Sequence, residues 1–325
     1  MKKTLLVLSL ISCTSTVFAI EGGVEADWSK NDDVIYNNCT GTVIAGNWVL
    51  SASHCQTAAD TGINTKNSGH VTIASVDSHP EYLSGGVDIA LWKLNTLVDT
   101  TNIHFLSMRN VNEGEFVDIV GFGETAPTLN KATLKTRTQY EGLGARRIMM
   151  DTMSQGNSLA GDSGAPFLDS DNMIVGVLAG GGDQTTDGTR LHFAQDWILE
   201  KINGWHYPTV ATTPSVGGTV IITVQSLYQD SFMDNATASG DATITGGTCS
   251  GVIVDPYDIC TYEVSSNGYE GFVTLDSTQK ITINKGRVKP VSPPQTTPET
   301  GSSGGGALGF LSLIGLFGVS FIRRK

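Results

Sequence analysis

Between residues 20 and 206 the chain is built of short apolar runs, such as Thr42-Val43-Ile44-Ala45, Trp48-Val49-Leu50, Ile89-Ala90-Leu91-Trp92 and Met173 to Leu178, separated by Gly, Asn, Asp and Ser. Runs this short, with little helical periodicity, predict antiparallel strands arranged as barrels or a sandwich. One segment differs. Across Ala194–Ile202 the spacing of Trp197, Ile198 and Ile202 is helical and stops at Asn203-Gly204, which predicts a helix closing this region. A second strand-rich block follows, alternating at Thr219–Val224, Thr261–Val264 and Lys280–Asn284, and its size suits a small β sandwich over 207–288. It holds no cluster of acids, histidines or aromatics, so it reads as a spacer or binding module. Residues 289–306 are a Pro, Thr, Gly and Ser linker, extended and then flexible. The last segment, 307–325, is mainly apolar up to Ile322 and ends in Arg323-Arg324-Lys325. Its apolar part is marginal in length for a membrane span.

The N-terminus has the three parts of an export signal: Lys2-Lys3, an apolar run from Thr4 to Ile11, and a small-residue boundary at Ala19. Residues 1–19 are therefore expected to be removed by signal peptidase. Leu10-Ile11-Ser12-Cys13 also resembles a lipoprotein box, which would instead make a lipidated Cys13 the mature N-terminus. Export implies an oxidising compartment, where the four cysteines after Cys13 read as two disulfides. The wide gap between Cys55 and Cys249 favours Cys39–Cys55 and Cys249–Cys260, although four cysteines permit three pairings. Thirty-two acidic side chains face 20 basic ones, and removing residues 1–19 and the last three residues takes away five bases and no acid. Such a surface repels nucleic acid and anionic lipid.

Three segments carry chemistry: Ser51-Ala52-Ser53-His54-Cys55, Val87-Asp88-Ile89-Ala90-Leu91 and Gly161-Asp162-Ser163-Gly164-Ala165-Pro166. A serine hydroxyl is a weak nucleophile at neutral pH. It needs an imidazole to take its proton and a carboxylate to hold that imidazole in the right tautomer. These segments, in the order His, Asp, Ser, resemble the signature motifs of the chymotrypsin/trypsin family of serine endopeptidases over roughly residues 20–206. The resemblance implies two antiparallel six-stranded β barrels closed by a C-terminal helix, with the small sandwich and hydrophobic tail following. It implies His54 as general base, Asp88 as its orienting partner and Ser163 as nucleophile. The backbone N–H groups of Gly161 and Ser163 would form the oxyanion hole. Cys39 and Cys55 flank the histidine as the family's first disulfide does. No cofactor or metal is implied: the remaining histidines show no ligand spacing, and Asp169-Ser170-Asp171-Asn172 reads as a hairpin turn.

In that family a freed Ile or Val α-amino group pairs with the aspartate before the catalytic serine. Here the pair would be Ile20 and Asp162, and Ile20 directly follows Ala19, so signal removal alone would release the activating terminus. Glu21 departs from the family's usual valine. The specificity pocket departs further. Asn157 stands where a trypsin places its selective aspartate, Leu159 replaces a pocket cysteine, and Ala179-Gly180-Gly181 replaces a Ser-Trp-Gly wall, leaving Ala179 and Gly181 as pocket lining. The intervals from His54 to Asp88 (34 residues) and from Asp88 to Ser163 (75 residues) are shorter than is usual in the family.

Ser302–Lys325 resembles a Gly-Gly C-terminal sorting signal of Gram-negative bacteria. That implies a rhomboid-type sorting protease, transient inner-membrane attachment, and release through the type II secretion route or retention at the cell surface. The alternative is a permanent membrane anchor. The expected activity is exported hydrolysis of protein and peptide substrates. A rival reading is a protease fold without activity that serves surface binding or adhesion.

Overall fold

The computed structural model describes residues 20–21, 23–137, 145–151, 157–182, 185–214 and 216–290. The signal segment, Cys13 and the tail at 307–325 lie outside the described residues.

The first lobe is an antiparallel sheet of seven strands in the order Gly69–Val71, Ile63–Thr65, Val34–Tyr36, Thr40–Ile44, Trp48–Ser51, Ala90–Leu94 and Ile73–Ser78. Trp92, Ile35, Ile44, Leu50 and Ile63 are fully buried beneath it. The second lobe is a closed ring. Phe116–Gly121, Pro166–Leu168, Ile174–Gly182, Thr185–Arg190, Arg147–Asp151 and Asn130–Thr136 pair in sequence, and Asn130–Thr136 returns to pair with Phe116–Gly121 along six residues. Phe167, Ile119, Ile148 and Met150 fill its interior, together with Ile20 from the start of the described chain.

Two six-stranded barrels were expected, and only one ring closes. The reason lies in the edges of the first-lobe sheet. Its edge strands, Gly69–Val71 and Ile73–Ser78, follow one another with only Thr72 between them. One residue cannot form a hairpin turn, so the chain runs on and the two edges do not meet. The first lobe therefore remains an open, curled sheet.

Gln195–Ile202 is helical and buries Trp197, Ile198 and Leu199 against the first-lobe core. Asn203 ends it in a left-handed conformation (φ 41°), its N–H bonded to the Leu199 carbonyl.

The C-terminal block, expected as a sandwich of two sheets, is one continuous six-stranded sheet with a separate two-stranded ribbon, Phe232–Met233 with Ile253–Val254. The sixteen-residue strand Ile259–Thr274 makes this possible. Its first half pairs with Gly218–Leu227, its second half with Lys280–Ile283, and Thr237–Gly246 runs along its other edge. Both halves bury side chains in one core around Tyr262, Val264, Val273 and Ile281. Cys249 is bonded to Cys260.

This sheet is fastened to the protease lobes without an intervening linker. Gly204–His206 pairs with Gln225–Leu227 directly after the helix. The Gln225 amide accepts from the Leu106 N–H (2.9 Å) and donates to the Leu106 carbonyl (2.8 Å). Buried His206 accepts from the Ala45 N–H through Nδ1 (3.1 Å), so its Nε2–H donates to the His104 carbonyl (3.0 Å). The described residues up to Lys289 form one compact unit.

The expected membrane tail and transient inner-membrane attachment are corrected. Among the described residues no helix is long and apolar enough to cross a membrane.

Candidate active site

His54 enters the site because the strand Trp48–Ser51 ends in a 3-10 turn beginning at Ser53. The turn is fixed on both sides of the imidazole. The Ser53 hydroxyl donates to the Ile89 carbonyl (2.6 Å), and Cys55 is bonded to Cys39. Asp88 sits at the mouth of the strand Ala90–Leu94 with its side chain 8% exposed. One carboxylate oxygen accepts the His54 backbone N–H (3.0 Å), and the other lies 2.7 Å from His54 Nδ1. The two contacts hold the ring with Nδ1 as donor and leave Nε2 directed away from the carboxylate.

Ser163 is carried on a turn bracketed by Gly161 (φ 92°) and Gly164 (φ 86°). These positions need glycine. A Cβ on Gly164 would come within 2.2 Å of both the Ser51 hydroxyl and the Thr40 carbonyl, and one on Gly161 within 2.7 Å of the Gly123 carbonyl. The Ser163 carbonyl accepts from the Thr40 N–H (2.8 Å) and lies 3.7 Å from Cys55 Sγ, so the serine backbone abuts the disulfide next to His54. The Thr40 hydroxyl donates to the Gly161 carbonyl (2.9 Å). With both carbonyls turned toward the first lobe, the Gly161 and Ser163 N–H groups meet no acceptor among the described residues, whereas Asp162, Gly164 and Ala165 donate to Leu159, Leu178 and Asp162.

Asp162 is fully enclosed. Oδ2 accepts from the Leu159 N–H (2.9 Å), and among the described residues no donor reaches Oδ1 in hydrogen-bond geometry. Burial pushes its carboxyl up to about 7, against the opposing pull of the Leu159 and Gly123 N–H groups. Ile20 is likewise fully buried, and Ile20-Glu21 pairs with Ser158-Asn157 in the chain segment leading to Asp162.

Of the residues expected to line the pocket, Asn157 and Gly181 are brought together through a neighbour that sequence spacing did not single out. Thr186 pairs with Gly181 on the adjacent strand, and its hydroxyl lies 3.5 Å from Asn157 Oδ1 and 3.2 Å from the Ser158 hydroxyl. A Cβ on Gly181 would come within 2.2 Å of the Ser158 hydroxyl, so the bare glycine admits that contact. Ala179 sits in the bulge between Leu178 and Gly180. Asp187, opposite Gly180, is a second acid near the site. It bonds Arg147 (2.7 Å), and burial, opposed by Arg147 and reinforced by Asp88, raises its carboxyl. Only the barrel register brings Thr186 and Asp187 here. Among the described residues, no group of three or more His, Cys, Asp or Glu side chains could hold a metal.

The model of the Trypsin family matches residues 23–198. The chain is 28% identical over 222 residues to trypsin of Squalus acanthias, covering 56% of this chain and 96% of that protein. It is 28% identical over 252 residues to the chymotrypsin-like protease VLCTLP of Macrovipera lebetinus, covering 65% and 96%. Among solved structures, the VesB protease of Vibrio cholerae aligns with 81% of this chain and 99% of its own, at 16% identity and a TM-score of 0.48. The family match spans more than half of the sequence: the chain belongs to the trypsin family and is a serine endopeptidase.

Proposed function

We propose that the mature chain hydrolyses peptide bonds through an acyl-enzyme formed on Ser163. The Ser163 hydroxyl attacks the scissile carbonyl while His54 Nε2 takes its proton. His54 then gives that proton to the leaving amine, and a water repeats the sequence to free the enzyme. Asp88 holds the imidazole and stabilises its charged form. The Gly161 and Ser163 N–H groups receive the oxyanion. The observation that carries this reading is the 2.7 Å contact of His54 Nδ1 with Asp88, on a turn whose next residue abuts the Ser163 backbone. A fluorophosphonate probe tests it: the mature protein is expected to label and Ser163→Ala to stay unlabelled, and absence of labelling in correctly processed protein refutes it.

Activation, on the same reading, needs no second protease. Signal peptidase cuts after Ala19, and the new Ile20 ammonium enters to pair with the Asp162 carboxylate, whose unpartnered oxygen supports this role. That pairing sets the 161–163 turn for substrate. Isolation of a longer, inactive exported precursor, activated only by a later cut, would overturn it.

The pocket floor offers an amide, Asn157, and hydroxyls from Ser158 and Thr186, in place of a charge. Uncharged side chains before the scissile bond are thus favoured over Arg and Lys. A peptide-library cleavage profile reads this directly. The exported chain is processed again near Gly304–Gly306 by a sorting protease and released by the type II route; mass spectrometry of the mature C-terminus checks this.

A further inference from the structure

One edge of the C-terminal sheet is open where the strand Gly218–Leu227 passes the first lobe. Ser226 donates its N–H to the Asp258 carbonyl (2.9 Å) and accepts from the Tyr257 N–H (2.8 Å), so its backbone groups turn toward the Ile259–Thr274 side. Backbone groups alternate sides along a strand, which turns those of Thr219, Ile221 and Thr223 to the opposite edge. On that edge the neighbouring strand, Gly204–His206, pairs only with Gln225–Leu227. Among the described residues, the outward backbone groups of Thr219, Ile221 and Thr223 have no partner.

The gap arises at Pro208. Proline has no N–H to donate, and beyond it the chain leaves this edge and joins the far side of the sheet as Val210–Ala211, parallel to Lys280–Ile283. Between the separated strands lies a cleft of about 550 Å³, walled on its third side by Asn102–Phe105 of the first lobe. Exposed edges are usually blunted by lysine, proline or a bulge, yet Thr219-Val220-Ile221-Ile222-Thr223 carries none of these and is rich in β-branched residues. Ile221 is 69% exposed beside it. The formally charged side chains lining the cleft are Lys30 and, when protonated, His104, which is already held by Asp33 at 3.0 Å. Lys30 makes no ion pair among the described residues.

We propose that this cleft is a strand-addition site for an extended, carboxylate-bearing segment of a partner polypeptide. The segment runs along Thr219–Thr223, exchanges backbone hydrogen bonds with Ile221 and Thr223, covers the Ile221 side chain and places its acid toward Lys30. Five residues of edge span about 16 Å, enough for two such residue pairs. The site is separate from the His54, Asp88 and Ser163 region, and its occupancy does not depend on catalysis.

The test is a random-peptide display screen against the full chain carrying Ser163→Ala, so that peptides are not consumed, followed by anisotropy titration of the synthesised hits. Hits are expected to carry Asp or Glu. N-methylation of alternate peptide amides should weaken them about tenfold or more. Ile221→Pro removes the outward N–H and spares the bonds to the Ile259–Thr274 strand, and should weaken them equally. Lys30→Glu should shift selection from acidic to basic hits. A screen without binders, or hits indifferent to both N-methylation and Ile221→Pro, overturns the proposal, and an unchanged charge preference in Lys30→Glu overturns the assignment of the acid. If Ile221→Pro fails to fold, as judged by near-ultraviolet circular dichroism, the N-methylated peptides decide on the unaltered sheet.

Discussion

Asp162 carries a cost as long as its buried carboxylate lacks a cationic partner. Its carboxyl sits at about 7 in the fold against 3.8 in the unfolded chain. The folded form therefore holds the proton more tightly, and the fold loses stability as pH rises from about 4 to about 7, then levels off. The interval corresponds to a penalty on the order of 4 kcal/mol. A terminal ammonium at Ile20 would offset it. Thermal melts across this pH range should thus show the uncut precursor weakening toward neutrality and the processed protein much less so. Asp162→Asn should flatten the precursor's profile and abolish activity after processing. Gly164→Ala is a second test at this scale, because its Cβ would strike Thr40 and Ser51. A loss of several kcal/mol is expected in denaturant melts, with activity abolished. The candidates His54, Asp88, Ser163, Gly161 and Asp162 could be named from the sequence, since each stands in a contiguous motif. Thr186 was not. It reaches Asn157 and Ser158 through the register of strands nearly thirty residues apart, which no local pattern encodes.

At the scale of elements, the turn bearing His54 depends on its bond to Cys39. The Cys39–Cys55 disulfide closes a loop of sequence separation 16, for which chain entropy gives a contribution of about 3 kcal/mol. The double substitution Cys39→Ala, Cys55→Ala should lower the melting temperature. On the proposed mechanism it should also reduce kcat more than KM, since the freed turn displaces His54 and leaves Asn157, Ser158 and Thr186 in place. Individual strands and the helix Gln195–Ile202 could be read from apolar runs and spacing. How the sheets end could not. Whether an edge finds a partner depends on connection lengths and twist, and the single residue Thr72 between two edge strands leaves one lobe open while the returning Asn130–Thr136 closes the other.

At the scale of the molecule, the C-terminal sheet acts as a buttress to the protease lobes. Leu227 lies in the same core as Leu106 and Trp197, and Gln225 satisfies both backbone groups of Leu106. Gln225→Ala would leave two buried polar groups without partners at a cost of about 2 to 5 kcal/mol. Calorimetry should show the whole unit to Lys289 losing stability in one transition. Two separate transitions, with only the C-terminal one shifted, would contradict this coupling. The sequence divided the chain by composition, and composition does not report hydrogen bonds across a division.

The strand Gly204–His206 has a further consequence for how such proteins can diversify. It leaves the protease helix and is at once a member of the next sheet, so a recombination joint at Tyr207 would strand three residues of one module inside another. Viable chimeras should instead splice at Asn203, where the helix has ended and the foreign module can bring its own first strand.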